Sequence, residues 1–253
     1  WNISYQSEGM IYAKWLLKNK PNAKVAILYQ NDDYGKDVLK GVKDGLGAKG
    51  ASMIVKEATY EVSDPTVDSQ ILTLQASGAD TFINITTPKF AAQAIRKAYD
   101  TGWKPLHILN NVGASVGSVL TPAGLDKSID LITMQYYKDA TDPQWKDDPA
   151  MLEWRAFMAR YYREGNVDDA SNIYGYITAQ LMVQVLKQCG NDLSRDNIKK
   201  QAESVRNLKL ALLLPGIALN TGPNDHAPVE QAQLSKFDGK KWVLFGEVLG
   251  GAQ

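Results

Sequence analysis

Residues 23–37 read AKVAILYQNDDYGKD, and they restrict the fold more than any other stretch of the chain. An apolar run, Val25 to Tyr29, is followed at once by the polar cluster Gln30, Asn31, Asp32 and Asp33, and a helical pattern opens at about Gly35. A short run without polar alternation fits a strand covered on both faces, as in a parallel sheet. Such a strand delivers Tyr29 to Tyr34 to the loop at its carboxyl end, where open α/β sheets bind their ligands.

The strand–helix unit recurs. Helices are expected over 6–18, 34–48, 66–76 and 89–101, and strands over 25–29, 52–57, 81–85, 106–109 and 129–134. Asp64-Pro65 and Thr87-Pro88 should each open a helix, because proline's fixed φ suits the first helical position. Strands alternating with helices of this length imply right-handed crossovers and a parallel sheet.

The pattern changes after Asp139. Residues 139–149 are polar and proline-containing and read as a connection, with Asp148-Pro149 starting the next helix. Helices are expected over 150–164, 170–189 and 195–204 with no strands between them, followed by an irregular apolar segment, 208–219. Runs 229–237 and 241–248 flank Asp238-Gly239, a hairpin signal. The expected fold class is therefore α/β, a parallel sheet flanked by helices. It divides into an α/β unit over 1–135, a mostly helical part over 136–227 and a hairpin over 228–253.

Charge excludes some functions. Lys+Arg and Asp+Glu both number 28, so no basic footprint points to nucleic acid or to a membrane surface. No run approaches the roughly 18 apolar residues of a transmembrane helix. Cys189 is the single cysteine, so no disulfide forms within the chain, and it reads as a buried thiol near a helix end. No Cys/His set suggests a metal, and no cofactor is expected. Trp1-Asn2-Ile3-Ser4 lacks a signal-peptide pattern and reads as a cut inside a longer protein.

Three motifs suggest chemistry. Gly45 to Gly50 matches GxGxxG, but it closes a helix, whereas a dinucleotide fingerprint opens one. It reads as a helix cap and turn. Gly113 to Gly117 matches GxSxG, and the order Ser115, Asp142, His226 would suit a serine hydrolase. Asn110 and Asn111 separate Ser115 from its strand, so a ligand-facing loop is the better reading. Asp32-Asp33 reads as loop carboxylates or helix caps, since calcium-loop spacing is missing. Aromatic residues at strand ends, Tyr34 above all, can stack on a ligand.

SYQSEGMIYAKWLL, KVAILYQNDDYGKDVLKGVKDGL, TFINITTPKFAAQAIRKAYDTGWKP and LTPAGLDKSIDLITMQYYKD resemble the branched-chain amino-acid type of periplasmic substrate-binding protein, the type I solute receptors of ABC importers. The resemblance covers essentially the whole chain. It implies two α/β lobes joined by crossing strands with a small-molecule ligand between them, a membrane permease as partner, a monomer, and a place outside the cytoplasm. It also implies that residues 1–135 form most of the second lobe, that 136–227 return to a first lobe whose initial half this chain lacks, and that the hairpin rejoins the second. The resemblance places Tyr34, Asn111, Thr86, Thr87, Tyr5 and Asp33 on one wall, with Tyr174 and Tyr176 approaching from the other side. Asn111 and Tyr5 stand where relatives carry the acids that clamp an amino-acid ammonium. A buried ammonium needs a carboxylate partner, so the expected ligand lacks one: an aromatic or aliphatic carboxylate, an amide or a polyol. An amino-acid receptor of the same family and a ligand-sensing receptor domain remain alternatives.

Overall fold

The computed structural model describes residues 1–250. Five parallel strands, β1 (Val25–Gln30), β2 (Ile54–Tyr60), β3 (Thr81–Ile85), β4 (Leu106–Leu109) and β5 (Ile132–Gln135), lie in the order β2-β1-β3-β4-β5. An antiparallel hairpin, β6 (Gln231–Phe237) and β7 (Trp242–Gly250), continues the same sheet beyond β5. The Asp238 carboxylate accepts from the backbone N–H groups of Lys240 and Lys241, and Gly239 takes a φ of 97° to close the turn. The last three positions of the span 228–253 lie outside the described residues.

Alternation along the strands divides the core in two. Val25 and Ile27 of β1 join one cluster, Ala26 and Leu28 the other, because successive side chains point to opposite faces. The helices α1 (Tyr5–Asn19) and α2 (Asp33–Leu46) cover the first face with Ile11, Leu16, Val38 and Val42. The second face is covered by α3 (Asp68–Ala76) and α4 (Pro88–Asp100) with Ile71, Leu74, Phe90 and Ala94. Glycines let α1 and α2 touch backbone to backbone. A Cβ on Gly41 would fall 2.0 Å from the Gln6 carbonyl oxygen, and one on Gly9 2.2 Å from that of Val38.

Several boundaries differ from those expected. Gly47, at φ 55°, closes α2, but the chain makes further helical turns through Met53, so β2 is Ile54–Tyr60 and not 52–57. Asp64-Pro65 does not open α3. The Asp64 carboxylate accepts from the Glu61 N–H at 2.9 Å and closes a turn instead. Pro88 does sit in the first turn of α4, while the Thr87 hydroxyl donates to Gln30 at 3.1 Å and does not cap the helix. A 3-10 turn at Asp126–Ser128 and Asp130 at φ 70° delay β5 to Ile132.

After β5 come α5 (Pro149–Tyr161), α6 (Ala170–Cys189) and α7 (Arg195–Ala202). Asp148 caps α5 through the N–H groups of Ala150 and Met151. Gly190, at φ 58°, closes α6 beside the buried Cys189. Met151, Trp154, Ile173 and Ile177 pack with Leu212 and Leu214 of the irregular segment. In that segment only isolated bridges form among the described residues, such as Leu208 with Leu219.

Candidate functional site

At the carboxyl ends of the strands, the turn after β4 carries two asparagines with different tasks. Asn110 is buried. Its side-chain oxygen accepts from the Thr86 N–H at 3.2 Å, and its amide donates to the Tyr34 hydroxyl at 2.5 Å. Asn111 donates its side-chain amide to the Met134 carbonyl at 2.8 Å and its backbone N–H to the Glu8 carboxylate at 2.6 Å. Glu8 also accepts from the Tyr12 hydroxyl at 2.8 Å and is only 1% exposed. Burial pushes its carboxyl up to about 7, against the opposing pull of the Asn111 N–H and the Tyr12 hydroxyl.

A cavity of about 220 Å³ opens between this turn and the start of α6. Tyr5, Tyr136, Tyr137 and Tyr174 form its aromatic walls, and Asn2, Asn111, Ser115 and Ser171 supply polar groups. No Asp, Glu, Lys, Arg or His lines it among the described residues. A void of about 20 Å³ next to it reaches the buried Asp139, whose carboxyl is raised chiefly by burial. Burial likewise raises the hydroxyls of Tyr136, Tyr137 and Tyr174, so all three stay neutral donors at ordinary pH.

The α/β unit and the start of α6 are tied at this cavity. The Ser115 hydroxyl donates to Asp169 at 3.1 Å and accepts from the Ala170 N–H at 3.1 Å. The Ser118 hydroxyl donates to the same Asp169 oxygen at 3.1 Å, and the Gly117 N–H to the Asp168 carbonyl at 3.0 Å. Burial works to raise the Asp169 carboxyl, but hydrogen bonds from Ser171, Ser118 and Ser115 outweigh it and hold the group below the usual range. A Cβ on Gly117 would lie 2.6 Å from the Asp168 carbonyl oxygen, so the contact requires glycine.

Of the residues expected on the site, Tyr5, Asn111 and Tyr174 meet at this cavity. Tyr34 stands behind Tyr5, ring centroids 4.9 Å apart and edge to face. Thr86 is fully buried and bonded to Asn84 and Asn110. Thr87 is half-buried, its N–H donating to the Tyr60 hydroxyl at 3.0 Å. Asp33 is exposed in the first turn of α2, while Asp32 caps that helix through the Gly35 N–H. Tyr176 packs on Phe157, centroids 4.9 Å apart, in a separate groove.

The hydrolase arrangement is not assembled. Ser115 is engaged with Asp169, Asp142 with Lys241 at 2.8 Å, and His226 with Glu203 at 3.2 Å in another groove. Glu8 is the residue that sequence reasoning missed: a carboxyl stands beside Asn111, although Asn111 and Tyr5 carry none themselves. Its signal was periodicity: Glu8, Ile11, Tyr12 and Trp15 share one helix face, so the acid lies on an apolar stripe.

A family model for periplasmic binding proteins matches residues 1–241. Leu/Ile/Val-binding protein homolog 7 of Brucella suis is 27% identical over 173 residues, which cover 68% of this chain and 42% of that protein. Homolog 8 of Brucella abortus is 24% identical over 189 residues, 74% of this chain and 45% of that one. The chain thus spans less than half the length of these curated relatives. Among solved structures, a branched chain amino acid ABC transporter protein from Thermus thermophilus with bound valine superposes with a TM-score of 0.83 at 14% identity, covering 98% of this chain and 66% of that one. A fatty acid ABC transporter substrate-binding protein from Thermomonospora curvata gives 0.75 at 20% identity, over 98% and 63%. At these identities the likeness is one of fold.

Proposed function

This chain belongs to the periplasmic binding protein family, and on that premise we propose that its protein captures a small solute outside the cytoplasm and hands it to the permease of an ABC importer. The observation that carries this reading is the cavity between the strand-end turn and the start of α6, walled by four tyrosines and, among the described residues, lined by no charged side chain. Its volume, about 220 Å³, suits a solute smaller than the usual drug-sized ligand.

The mechanism is hinge closure. A ligand that touches both walls stabilises the closed form by its differential contacts, and the permease reads that shape. The hydrogen bonds from Ser115, Ser118 and Gly117 to Asp169 and Asp168 would form on closure and break on opening. In this reading the α/β unit and the helical part move as separate lobes. The cavity's neutral lining supports a ligand without an ammonium: an amide or a polyol, or an aromatic or aliphatic carboxylate whose charge the tyrosine hydroxyls and the Asn and Ser side chains would have to satisfy by hydrogen bonds.

A second reading, an amino-acid ligand, draws on one observation, the buried Glu8 carboxyl behind Asn111. Calorimetric titration of the full-length, ligand-stripped protein separates the two. Benzoate and hexanoate should bind while valine and leucine do not. Tight binding of valine would overturn the carboxylate reading.

A further inference from the structure

Glu8 is held in an unusual setting for a carboxyl group. It is 1% exposed, and both of the hydrogen bonds described for it come from neutral donors, the Asn111 N–H and the Tyr12 hydroxyl. Among the described residues, three titratable groups whose own protonation Glu8 shifts are tyrosines: Tyr12 on its own helix, Tyr34 at the start of α2 and Tyr136 just after β5. Asn111, which it holds, lines the cavity, whereas Glu8 does not. The carboxyl therefore acts on the cavity from behind, through one backbone N–H.

We propose that Glu8 is a positioning residue of this cavity and that its proton couples ligand capture to pH: protonated, it lets the Asn111 corner accept a carboxylate; ionised, it repels one. The proposal rests on the reading of the cavity as the ligand site and deepens it by naming the group that sets its charge preference. Two facts of placement support it. A buried charge acts over several ångströms through a poorly screening interior. The Asn111 N–H, moreover, is already committed to Glu8 and is released only when that acceptor weakens. A carboxyl titrating at about 7 would switch within the range of ordinary growth media. Because capture of the anion favours the protonated form, binding should take up a proton and weaken as pH rises.

The test has two parts on the full-length protein. First, the Asn111 amide is followed by ¹H–¹⁵N NMR across pH 5 to 9 without ligand. A single step near neutrality, absent from Glu8→Gln, is expected. An amide that does not titrate overturns the proposal, and this result needs neither a folded variant nor a known ligand. Second, benzoate affinity is measured by calorimetry at pH 6 and pH 8. Binding should be about tenfold weaker at the higher pH, the ratio of the protonated fractions one unit either side of neutrality, and Glu8→Gln should lose that dependence. A profile shared by wild type and Glu8→Gln, or an affinity that rises with pH, overturns the proposal. If benzoate binds at neither pH, the carboxylate reading of the ligand falls, and Glu8's control of the Asn111 corner is decided by the amide titration alone.

Discussion

The α/β unit and the helical part solve the same packing problem to different degrees. In the first, every long helix lies against the sheet, and α1 meets α2 at a separation that only glycine permits. In the second, α5 and α6 pack on an irregular segment; exposed large apolar side chains occur in both regions, Val62 and Tyr161 each at 64%, but they are denser in the helical part, where Leu193 is 60% and Met182 51% exposed. The same contrast holds for polar groups. In the α/β unit the network is anchored on the buried Asn110 and Glu8, with Asn111 and Tyr34 half-buried, whereas the cap at Asp169 is built at the edge of the cavity. One wall of the site is therefore fixed by a core, and the other is held mainly by hydrogen bonds at a helix start.

The sharpest way to break the comparison is to add a methyl group where the two helices touch. Gly41→Ala places a Cβ on the Gln6 carbonyl oxygen, a clash with backbone that no rotamer relieves. The expected cost is about 3 kcal/mol, at the upper end for overpacking, read as a drop in the urea midpoint. A loss under about 0.5 kcal/mol would mean that α1 and α2 slide freely, and that the tightness of this wall is overstated.

Next in size is the pH dependence of stability, which should run in opposite directions in the two regions. Glu8 is raised from an ordinary 4.5 to about 7, so between those values the folded chain keeps a proton that the unfolded chain has lost. Its contribution is complete below about 4.5 and disappears as pH rises through about 7, a change on the order of 3 kcal/mol. Asp169 is lowered from 3.8, so its contribution is present above 3.8 and is lost as pH falls through its depressed value. Urea midpoints of wild type, Glu8→Gln and Asp169→Asn across pH 3 to 8 separate the two. Glu8→Gln should flatten the neutral limb and leave the acid limb.

What the sequence disclosed follows the same division. The strands β1, β3 and β4 were legible because both faces are buried, so each reads as an apolar run between turn residues. The start of β2 was not, because Ser52 and Met53 continue a helical turn that only tertiary contacts decide. In the candidate site, the resemblance points to Asn111, Tyr5 and Tyr174, and these three line one cavity. Glu8 was legible only as an acid on an apolar stripe; that this stripe faces the core and buries the carboxyl beside Tyr12 is decided by packing. Tyr176 was misplaced for the converse reason. It lies two residues from Tyr174 on a helix, and such neighbours face different ways.

A smaller effect is expected at the tie between the regions. Asp169→Ala removes the acceptor of both Ser115 and Ser118 and the cap of α6. Loss of a helix cap costs about 1 kcal/mol, and loss of the serine bonds should add a similar amount. The Ser118→Ala variant keeps the cap and loses one bond, so a double-mutant cycle isolates the contact across the cavity. If the tie belongs to the closed form, Asp169→Ala should also widen the particle in small-angle scattering with ligand present. An unchanged radius of gyration would make the contact a helix cap alone.

The smallest expected effect has the opposite sign and isolates the contrast in packing. Gly175 lies inside α6, and a Cβ built there meets nothing within 4 Å, in contrast to Gly41. Glycine in a helix interior is less favourable than alanine by roughly 0.5–1 kcal/mol, because it loses more backbone freedom on folding. Gly175→Ala should therefore raise the urea midpoint, where the same substitution at Gly41 lowers it. Gly175 is also one residue from Tyr174 on the cavity wall, so solute affinity is a second readout. A stabilised protein with unchanged affinity would show that this face of α6 is open and takes no part in capture. A destabilised one would mean that the space beside Gly175 is occupied in the folded protein, and that the helical part is packed as tightly as the α/β unit.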